Sequence, residues 1–202
     1  MNLQKLFEMQ AKLDADITAH HPVQEGENRL EKKVLALLVE LGECANEWRG
    51  FKFWSNDQEP RVTETCGACS GRGKKRRIEA RTGRERYFTC QRCNGLGVKG
   101  NPLLEEYVDC LHFILSIGND LGITSFENDA WESPFDEGVL VAFNELFLRV
   151  TVLYARRLDE NYNNAFESLL VLGATLGFTW EQIEQAYYDK NKINFDRQEN
   201  GY

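Results

Sequence analysis

Apolar residues recur every three or four positions along almost the whole chain outside residues 61–100. This spacing is typical of helices that bury one face, and it predicts four long helices and two shorter ones. The predicted helices cover approximately residues 2–19, 27–49, 102–121, 134–158, 161–176 and 179–190. An alternating pattern, which would indicate strands, occurs only weakly and within residues 61–100. The fold class is therefore predicted to be all-α, a helical bundle with a small insertion.

Proline and capping residues support three of the predicted helix starts. Pro102 and Pro134 stand at first-turn positions, where the missing N–H of proline leaves no hydrogen bond unmade. Thr179 has the character of an N-cap, and Gln182 three residues later completes the pattern of a capping box. We expect helices to begin at these three places.

The apolar runs are too short for a membrane protein. The longest, residues 34–39 and 139–143, fall far below the ~18 residues that a membrane span needs. The first ten residues are amphipathic and lack the charged-then-apolar order of a signal peptide. With 42% hydrophobic residues in 202, the chain can form a real core. We expect a cytoplasmic enzyme or binding protein without membrane association.

The net charge of −8 is distributed unevenly along the chain. Residues 61–100 hold 11 Lys or Arg against 3 Asp or Glu, and the other residues hold 13 against 29. A basic segment inside an acidic protein indicates an inserted module with its own role. The acidic remainder argues against general affinity for nucleic acid and suits a site of carboxylates around divalent cations.

Two pairs of carboxylates occur on the second and third predicted helices. Glu40 and Glu43 are three residues apart, and so are Glu106 and Asp109. If these helices pack side by side, four carboxylates converge, and cations relieve their mutual repulsion. Mg²⁺ suits such a set because it is hard, prefers oxygen ligands and is usually shared with substrate phosphates. The alternative is that each pair is the solvated face of an amphipathic helix.

The polar C-terminal segment carries groups that bind phosphates. Lys190, Asn194 and Arg197 follow the predicted end of the last helix. Lysine supplies a compact charge, arginine a bidentate fork and asparagine donors to oxygen, which together suit a triphosphate. The alternative is a frayed terminus without a function.

The order and spacing of the two carboxylate pairs resemble the motifs of a known family, the all-α nucleotide pyrophosphohydrolases. This family includes the dimeric dUTPases and MazG-like enzymes. Members carry ExxE on one helix and ExxD on the next, and Glu40, Glu43, Glu106 and Asp109 match that order and spacing. Three further stretches resemble the dimeric dUTPase branch: residues 46–55, 109–113 and 190–202. The resemblance covers residues 1–60 and 101–202, and it implies that these form one all-α pyrophosphohydrolase domain with a MazG-like bundle.

The resemblance implies Mg²⁺-dependent hydrolysis of dUTP to dUMP and pyrophosphate, carried out by a homodimer. Glu40, Glu43, Glu106 and Asp109 would hold the metal ions, and one of Glu40 and Glu43, with Glu43 favoured, would also orient or deprotonate the attacking water. The substrate-binding residues implied are Gln10, Asp14, Lys52, Trp54, Lys190, Asn194, Arg197 and Tyr202. Among them, Lys190, Asn194 and Arg197 would hold the phosphates, and Lys52 and Trp54 would add a phosphate contact and an aromatic wall.

Recognition of the base departs from the family pattern. Relatives place a glutamine and, four residues later, an asparagine beside the pyrimidine. Gln10 matches the first position, but the second is Asp14. An amide both donates and accepts hydrogen bonds, whereas a carboxylate only accepts them. The sequence therefore leaves dUTP and dCTP, or a broader nucleotide preference, as alternatives.

The insertion contains the repeat CxxCxGxG twice. Cys66, Cys69, Cys90 and Cys93 form two CxxC pairs that are separated by twenty residues, a spacing typical of a tetrahedral zinc site. The repeat resembles half of the zinc-binding region of DnaJ-type co-chaperones. Disulfides are disfavoured in a cytoplasmic chain, and a redox CxxC lacks its usual βαβ setting. We expect residues 61–100 to be a Cys₄ module that holds a structural Zn²⁺.

Residues 74–88, between the two CxxC pairs, resemble a basic β-hairpin with Thr82 and Gly83 near its turn. Such a ribbon could contact nucleic acid, a partner protein or the acidic body of its own chain. The opposite charges of the two parts favour the last of these. A different class of function therefore stays open: a non-catalytic adaptor that binds nucleic acid or a partner through the zinc module.

Overall fold

The computed structural model describes residues 2–126 and 134–201. Over these residues it contains six helices: α1 Leu3–His20, α2 Arg29–Trp48, α3 Pro102–Asp120, α4 Val139–Ala155, α5 Asp159–Thr175 and α6 Trp180–Glu199. Four short strands lie between α2 and α3: β1 Glu64–Thr65, β2 Lys74–Ile78, β3 Glu85–Thr89 and β4 Val98–Lys99. The predicted all-α fold with an inserted hairpin is confirmed. None of the described helices combines the length and apolarity that crossing a bilayer requires.

Several helices begin at side-chain caps that satisfy N–H groups of the first turn. The Asn101 side chain accepts a hydrogen bond from the Leu104 amide at 3.1 Å, and Pro102 occupies the first helical position as predicted. Thr179 and Gln182 form the predicted capping box at the start of α6. A cap of this kind stabilises a helix by about 1 kcal/mol. Local sequence thus determines where these helices begin.

Two helix boundaries differ from the predicted ones. The fourth helix starts at Val139 rather than at residue 134, because Gly138 adopts a φ of 87° that interrupts helical geometry. The sixth helix continues to Glu199 rather than ending near residue 190. Its second half buries the polar residues Asn191 and Gln198, so no apolar stripe marks it in the sequence.

Helix α3 lies at the centre of the bundle and contacts α1, α2, α5 and α6. Its residue Tyr107 is fully buried and donates a hydrogen bond from its hydroxyl to the Leu169 carbonyl of α5 at 3.0 Å. Near the other end, Tyr162 packs so closely that a Cβ at Gly118 would lie 2.3 Å from its hydroxyl oxygen. Only glycine fits there, which fixes the depth at which α5 sits on α3.

The insertion consists of two small antiparallel sheets. Strand β1 pairs with β4, and β2 pairs with β3 in the predicted hairpin, whose turn contains Gly83 at a φ of 64°. The Arg61 amide donates to the Glu47 carbonyl at 2.9 Å, and the Leu103 amide donates to the Arg61 carbonyl at 3.0 Å. These bonds tie the start of the insertion to the adjoining ends of α2 and α3.

The hairpin does not rest on the acidic body of its own chain, which was the favoured expectation. Every residue of β2 and β3 is exposed. The ion pairs that this hairpin forms among the described residues are internal, joining Arg76 to Glu85 and Arg86 to Glu79. The attraction between the two oppositely charged parts is insufficient to offset the hydration of exposed lysine and arginine side chains.

Candidate active site

Helices α2 and α3 run antiparallel and bring the two carboxylate pairs to the same level. The Lys33 ammonium near the start of α2 lies 2.7 Å from the Asp120 carboxylate at the end of α3. Near the end of α2, the Cys44 thiol lies 3.9 Å from the Leu103 carbonyl at the start of α3. The middle segments of both helices, which carry the ExxE and ExxD pairs, therefore face each other.

Three of the four predicted carboxylates form a compact cluster. Oxygens of Glu40, Glu43 and Glu106 all lie within 4.8 Å of one another. The fourth, Asp109, forms an ion pair at 2.5 Å with the ammonium of Lys190 on α6. Lys190 thus joins the third helix to the last one beside the cluster. An all-oxygen set of this kind suits a hard divalent cation such as Mg²⁺.

Two carboxylates of this cluster, Glu40 and Glu106, are protonated more readily than ordinary ones. Partial burial, together with the charges of Asp109, Glu43 and Glu40, raises the pKa of Glu106 to about 7. Burial, and then the charges of Asp109 and Glu43, also raises the pKa of Glu40. Negative charges held this close repel one another, and protons or cations relieve the repulsion. The cluster therefore has the electrostatic character of a cation site.

A cleft of about 520 Å³ extends from this cluster along α1 and α6. Glu40 and Asp109 line one part of it. The lining also includes Gln10, Asp14, His112, Ser116, Asn194, Arg197 and Gln198. The cleft thus joins the carboxylates, the residues predicted to contact the base and two of the residues predicted to hold phosphates.

A buried hydrogen-bond network surrounds Gln10. Its side-chain oxygen accepts from Nδ1 of His112 at 2.8 Å and from the Tyr187 hydroxyl at 3.0 Å. Its amide nitrogen donates to Asp14 at 2.8 Å, and Ser116 donates to the other Asp14 oxygen at 2.8 Å. Two donors on the Gln10 oxygen leave its nitrogen to face Asp14, so the orientation of the amide is determined.

The ionisation of this network follows from its burial. Burial, and then the nearby charge of Lys190, lowers the pKa of His112 to about 3, so its imidazole is neutral at physiological pH. The ring stacks on Tyr187 with centroids 4.1 Å apart. His112 is thus a packed residue of the bundle. Burial also raises the pKa of Asp14, although Lys33, Gln10 and Ser116 oppose that shift.

The phosphate-binding candidates lie on a helix, which corrects their predicted place in a tail. Lys190, Asn194 and Arg197 stand at i, i+4 and i+7 of α6, so they share one face. The Arg197 guanidinium donates to the Asn194 side-chain oxygen at 3.4 Å. Tyr202, the last of the predicted substrate contacts, lies outside the described residues.

Lys52 and Trp54 follow α2 in a loop and are outside the described lining of the cleft. The Lys52 ammonium hydrogen-bonds the Asn46 side chain. Trp54 is 65% exposed and contacts Phe51 and Phe53 edge-on. Their contact with substrate stays a prediction, since one chain by itself does not bring them to the carboxylates.

Sequence reasoning missed two members of the site, Ser116 and Tyr187. Ser116 stands seven residues after Asp109, and Tyr187 three residues before Lys190, so each shares a helix face with a predicted site residue. That spacing was the one feature of the sequence that could have identified Ser116 and Tyr187 as site residues. It is a weak indication, because serine and tyrosine are common on packed helix faces.

The four cysteines of the insertion also converge. All four are buried, and their sulfurs lie within 4.8 Å of one another. The Cys66–Cys90 and Cys69–Cys93 sulfurs are 3.9 Å and 3.7 Å apart. A tetrahedron with Zn–S bonds of about 2.3 Å has edges of about 3.8 Å, which these distances match.

Glycines allow the two CxxCxGxG turns, residues 66–73 and 90–97, to pack against each other; we call these turns the knuckles. A Cβ at Gly73 would lie 2.2 Å from the Gly95 carbonyl oxygen, and a Cβ at Gly97 would lie 2.2 Å from that of Gly71. All four glycines have positive φ. The repeated GxG after each CxxC pair is therefore a steric requirement of this module.

The sequence profile of a protein family described as dUTPase matches residues 2–66 and 95–202. A search of curated proteins gave no match. The matched part includes all six helices and leaves out most of the insertion, from residue 67 to residue 94. The chain therefore belongs to the all-α dUTPase family and is a nucleoside triphosphate pyrophosphohydrolase, a dUTP diphosphatase that converts dUTP to dUMP and pyrophosphate.

Proposed function

We propose that this hydrolysis depends on Mg²⁺ held by Glu40, Glu43, Glu106 and Asp109. The observation that carries the proposal is the convergence of three carboxylates, one of which, Glu40, lines a cleft of about 520 Å³. When bound, Mg²⁺ neutralises phosphate charge and lowers the pKa of an attacking water. Burial first, and then repulsion between the carboxylates, raises the pKa values of Glu40 and Glu106. A cation at the cluster would relieve that repulsion, so these shifts support a cation site here.

Glu43 is proposed to orient or deprotonate the attacking water. Of the three clustered carboxylates it is the exposed one, whereas Glu40 and Glu106 are half-buried. An exposed carboxylate beside the metal ligands can accept a proton and pass it to solvent. Glu40, on the preceding turn of the same helix, would also hold the metal and is the second catalytic candidate.

The phosphates would lie between the carboxylates and the exposed face of α6. Asn194 and Arg197 line the same cleft as Glu40 and Asp109, and Lys190 is bonded to Asp109. An arginine fork and a lysine charge on one helix face present donors to successive phosphate oxygens. The base would then reach the buried network at the other part of the cleft.

Gln10 and Asp14 are proposed to contact the pyrimidine. Each carboxylate oxygen of Asp14 accepts one internal hydrogen bond and keeps a lone pair. That lone pair can accept from N3–H of uracil or from the amino group of cytosine. Family membership favours uracil, and dCTP, or a broader set of triphosphates, is the alternative substrate on the same fold.

The insertion is proposed to be a separate module, residues 61–100, that holds one structural Zn²⁺ on Cys66, Cys69, Cys90 and Cys93. Its four cysteines form a buried cluster distinct from the helical core. Four protein thiolates leave no position open for a substrate, which is typical of structural sites. Six cysteines without a disulfide, four of them proposed zinc ligands, also fit a reducing compartment and so support a cytoplasmic location.

A homodimer is proposed on the apolar residues that α2 and α4 expose. On α2, Leu35 and Val39 are one turn apart and 63% and 50% exposed. On α4, Leu140 and Leu148 are two turns apart and both more than half exposed. The two helices pack against each other. Exposed apolar side chains on adjacent helices favour burial against a second copy.

The direct test incubates the purified protein with Mg²⁺ and each deoxynucleoside triphosphate in turn, measuring monophosphate and pyrophosphate. We expect release of both from dUTP, and loss of activity in Glu43→Gln by a factor of about 100 or more. Glu105→Gln is the matched control. Glu105 adjoins Glu106 in the sequence, but it is exposed and is not one of the clustered carboxylates. Equal activity of the two variants would remove Glu43 from the mechanism, and preference for dCTP would reassign the substrate.

A further inference from the structure

The exposed ribbon of β2 and β3 has two faces that differ in charge. Side chains alternate between the faces along each strand, and residues directly opposite one another share a face. The opposed pairs Lys75–Phe88 and Arg77–Arg86 lie on one side. We call this side the cationic face. It presents three positive charges and one aromatic ring, with no carboxylate among its paired residues.

The other face compensates part of its own charge. Lys74 lies opposite Thr89 there, Arg76 lies opposite Tyr87, and Ile78 lies opposite Glu85. The Arg76 guanidinium donates to Glu85 at 2.8 Å, and the Tyr87 hydroxyl donates to the same carboxylate at 3.0 Å. This face therefore carries less uncompensated positive charge than the cationic face.

The cationic face is an unfavourable arrangement by itself. Arg77 and Arg86 lie directly opposite each other, and like charges in that relation destabilise a sheet. Arg86 reaches Glu79 at 3.1 Å, whereas Lys75 and Arg77 form no ion pair among the described residues. Phe88 is 49% exposed beside them. Arg77, Arg86 and Phe88 border a groove of about 370 Å³, whose lining also includes Ile78, Glu79 and Ala80.

We propose that the cationic face binds single-stranded nucleic acid, with backbone phosphates on Lys75 and Arg77 and one base stacked on Phe88. Cations that follow a sugar-phosphate backbone and an exposed aromatic ring that receives a base are the two elements of single-strand binding. The proposed binding is a second function of the chain and does not depend on dUTP hydrolysis. It is confined to the insertion, because the chain outside residues 61–100 has 29 acidic against 13 basic residues and repels a polyanion.

Single-stranded nucleic acid fits this face better than an acidic protein or a duplex does. Carboxylates of an acidic protein would pair with Lys75 and Arg77, but they would also lie against the negative face of the Phe88 ring. A duplex keeps its bases stacked on each other and leaves the ring without a partner. Unpaired bases use both the charge and the ring.

The first test measures the binding of a labelled single strand to the full-length, zinc-loaded protein by fluorescence anisotropy. A strand of about 20 nucleotides exceeds the roughly 4–16 that one small binding site covers. Lys75→Gln and Lys74→Gln are a matched pair, because these neighbours are both exposed, lie on opposite faces and change the net charge equally. We expect Lys75→Gln to weaken binding by about fivefold and Lys74→Gln by less than twofold. The slope of the logarithm of the binding constant against the logarithm of the salt concentration should become shallower by about 0.7 in Lys75→Gln only.

The second test concerns the ring. Phe88→Ala is expected to weaken binding by about fivefold or more, the usual effect of losing one stacked base, and Tyr87→Ala on the other face is the control. Unchanged zinc content and dUTP hydrolysis in each variant show that the fold is intact. A duplex of the same sequence and a polyglutamate of similar length are the competing partners.

Three outcomes would overturn the proposal. Absence of binding at about 50 mM salt would show that the ribbon has no affinity for nucleic acid. Equal losses in Lys74→Gln and Lys75→Gln would show undirected charge attraction without a defined face. Equal or tighter binding of polyglutamate or of the duplex would assign the face to an acidic protein or to double-stranded nucleic acid instead.

Discussion

Nδ1 of His112 on α3 donates a hydrogen bond of 2.8 Å to the side-chain oxygen of Gln10 on α1. The donor must be the histidine, because an amide oxygen only accepts hydrogen bonds. The bond therefore selects the Nδ1–H tautomer and holds the Gln10 amide in one orientation. A residue from the centre of the bundle thus prepares a predicted base contact on the first helix.

Replacing this donor is expected to weaken substrate binding more than turnover. His112→Phe keeps an aromatic ring to stack on Tyr187 but removes one of the two donors to Gln10. A lost hydrogen bond of this kind costs about 1 kcal/mol, which corresponds to roughly a fivefold higher KM for dUTP with kcat little changed. Steady-state kinetics measure both constants. A fall in kcat alone, with KM unchanged, would contradict the role in orientation.

Asp14→Asn tests whether this residue discriminates between pyrimidines. The change restores the amide that relatives carry, whose oxygen can accept from N3–H of uracil while its NH₂ group donates to a neighbouring carbonyl of the same base. We expect the ratio of kcat/KM for dUTP over dCTP to rise by about tenfold. Asp16→Asn is the matched control, because Asp16 lies on the same helix outside the described lining of the cleft. Equal ratios in both variants would place Asp14 away from the base.

The raised pKa of Glu106 predicts that the unsubstituted protein and Glu106→Gln differ in thermal stability by an amount that depends on pH. Its pKa is about 7 in the folded protein and near 4.5 in an unfolded chain, so the folded state binds the proton more tightly. Its ionisation therefore destabilises the fold progressively as the pH rises from about 4.5 through 7. Glu106→Gln removes that ionisation and should raise Tm at about pH 8 without Mg²⁺, but not at about pH 5.

Scanning calorimetry of the zinc-loaded protein at the two pH values measures this difference. Added Mg²⁺ should raise Tm of the unsubstituted protein at the higher pH, because it replaces the missing proton at the cluster. The same addition should have a smaller effect on Glu106→Gln, which lacks one ligand. An equal difference in Tm between the two proteins at both pH values would refute the assigned pKa shift.

Removal of the zinc ligands should affect the insertion and spare the helical bundle. Cys66→Ser is expected to reduce the metal content from one Zn²⁺ per chain to almost none, since thiolates provide all four ligands. The Tm of the helices, followed by far-ultraviolet circular dichroism, should change little, because the cysteine cluster and the helical core are separate. Cys44→Ser, at a buried cysteine of α2, should keep its zinc. An unchanged zinc content in Cys66→Ser would show that the site is misassigned.

A charge introduced on the exposed apolar face of α2 should separate the dimer. Leu35→Glu is expected to shift the sedimenting species from dimer to monomer, because burying an unpaired carboxylate costs several kcal/mol. Leu96→Glu is the control, since Leu96 is 77% exposed within the insertion. A dimer that persists in Leu35→Glu would move the interface to another face.

Local signals predicted several helix starts correctly, and they also predicted that carboxylates of two helices would converge; the roles of these residues in catalysis stay predictions. The ExxE and ExxD spacing placed Glu40, Glu43 and Glu106 on facing helices, and the capping pattern at Thr179 located the start of α6. The end of α6 was predicted wrongly, because the residues that its second half buries are polar. The start of α4 was also wrong, because a proline permits a helix start without requiring one.

The sequence by itself determined the elements whose causes are local: apolar periodicity for the helices, caps for several of their starts, and the CxxCxGxG repeats for the knuckles. It also brought together residues that share one helix face, such as the two carboxylate pairs. Only the tertiary structure decided which faces meet. The bonds from His112 and Ser116 to residues of α1 span 102 positions, and the pairing of Lys190 with Asp109 spans 81. Such contacts depend on how whole helices pack, and no single segment encodes that packing.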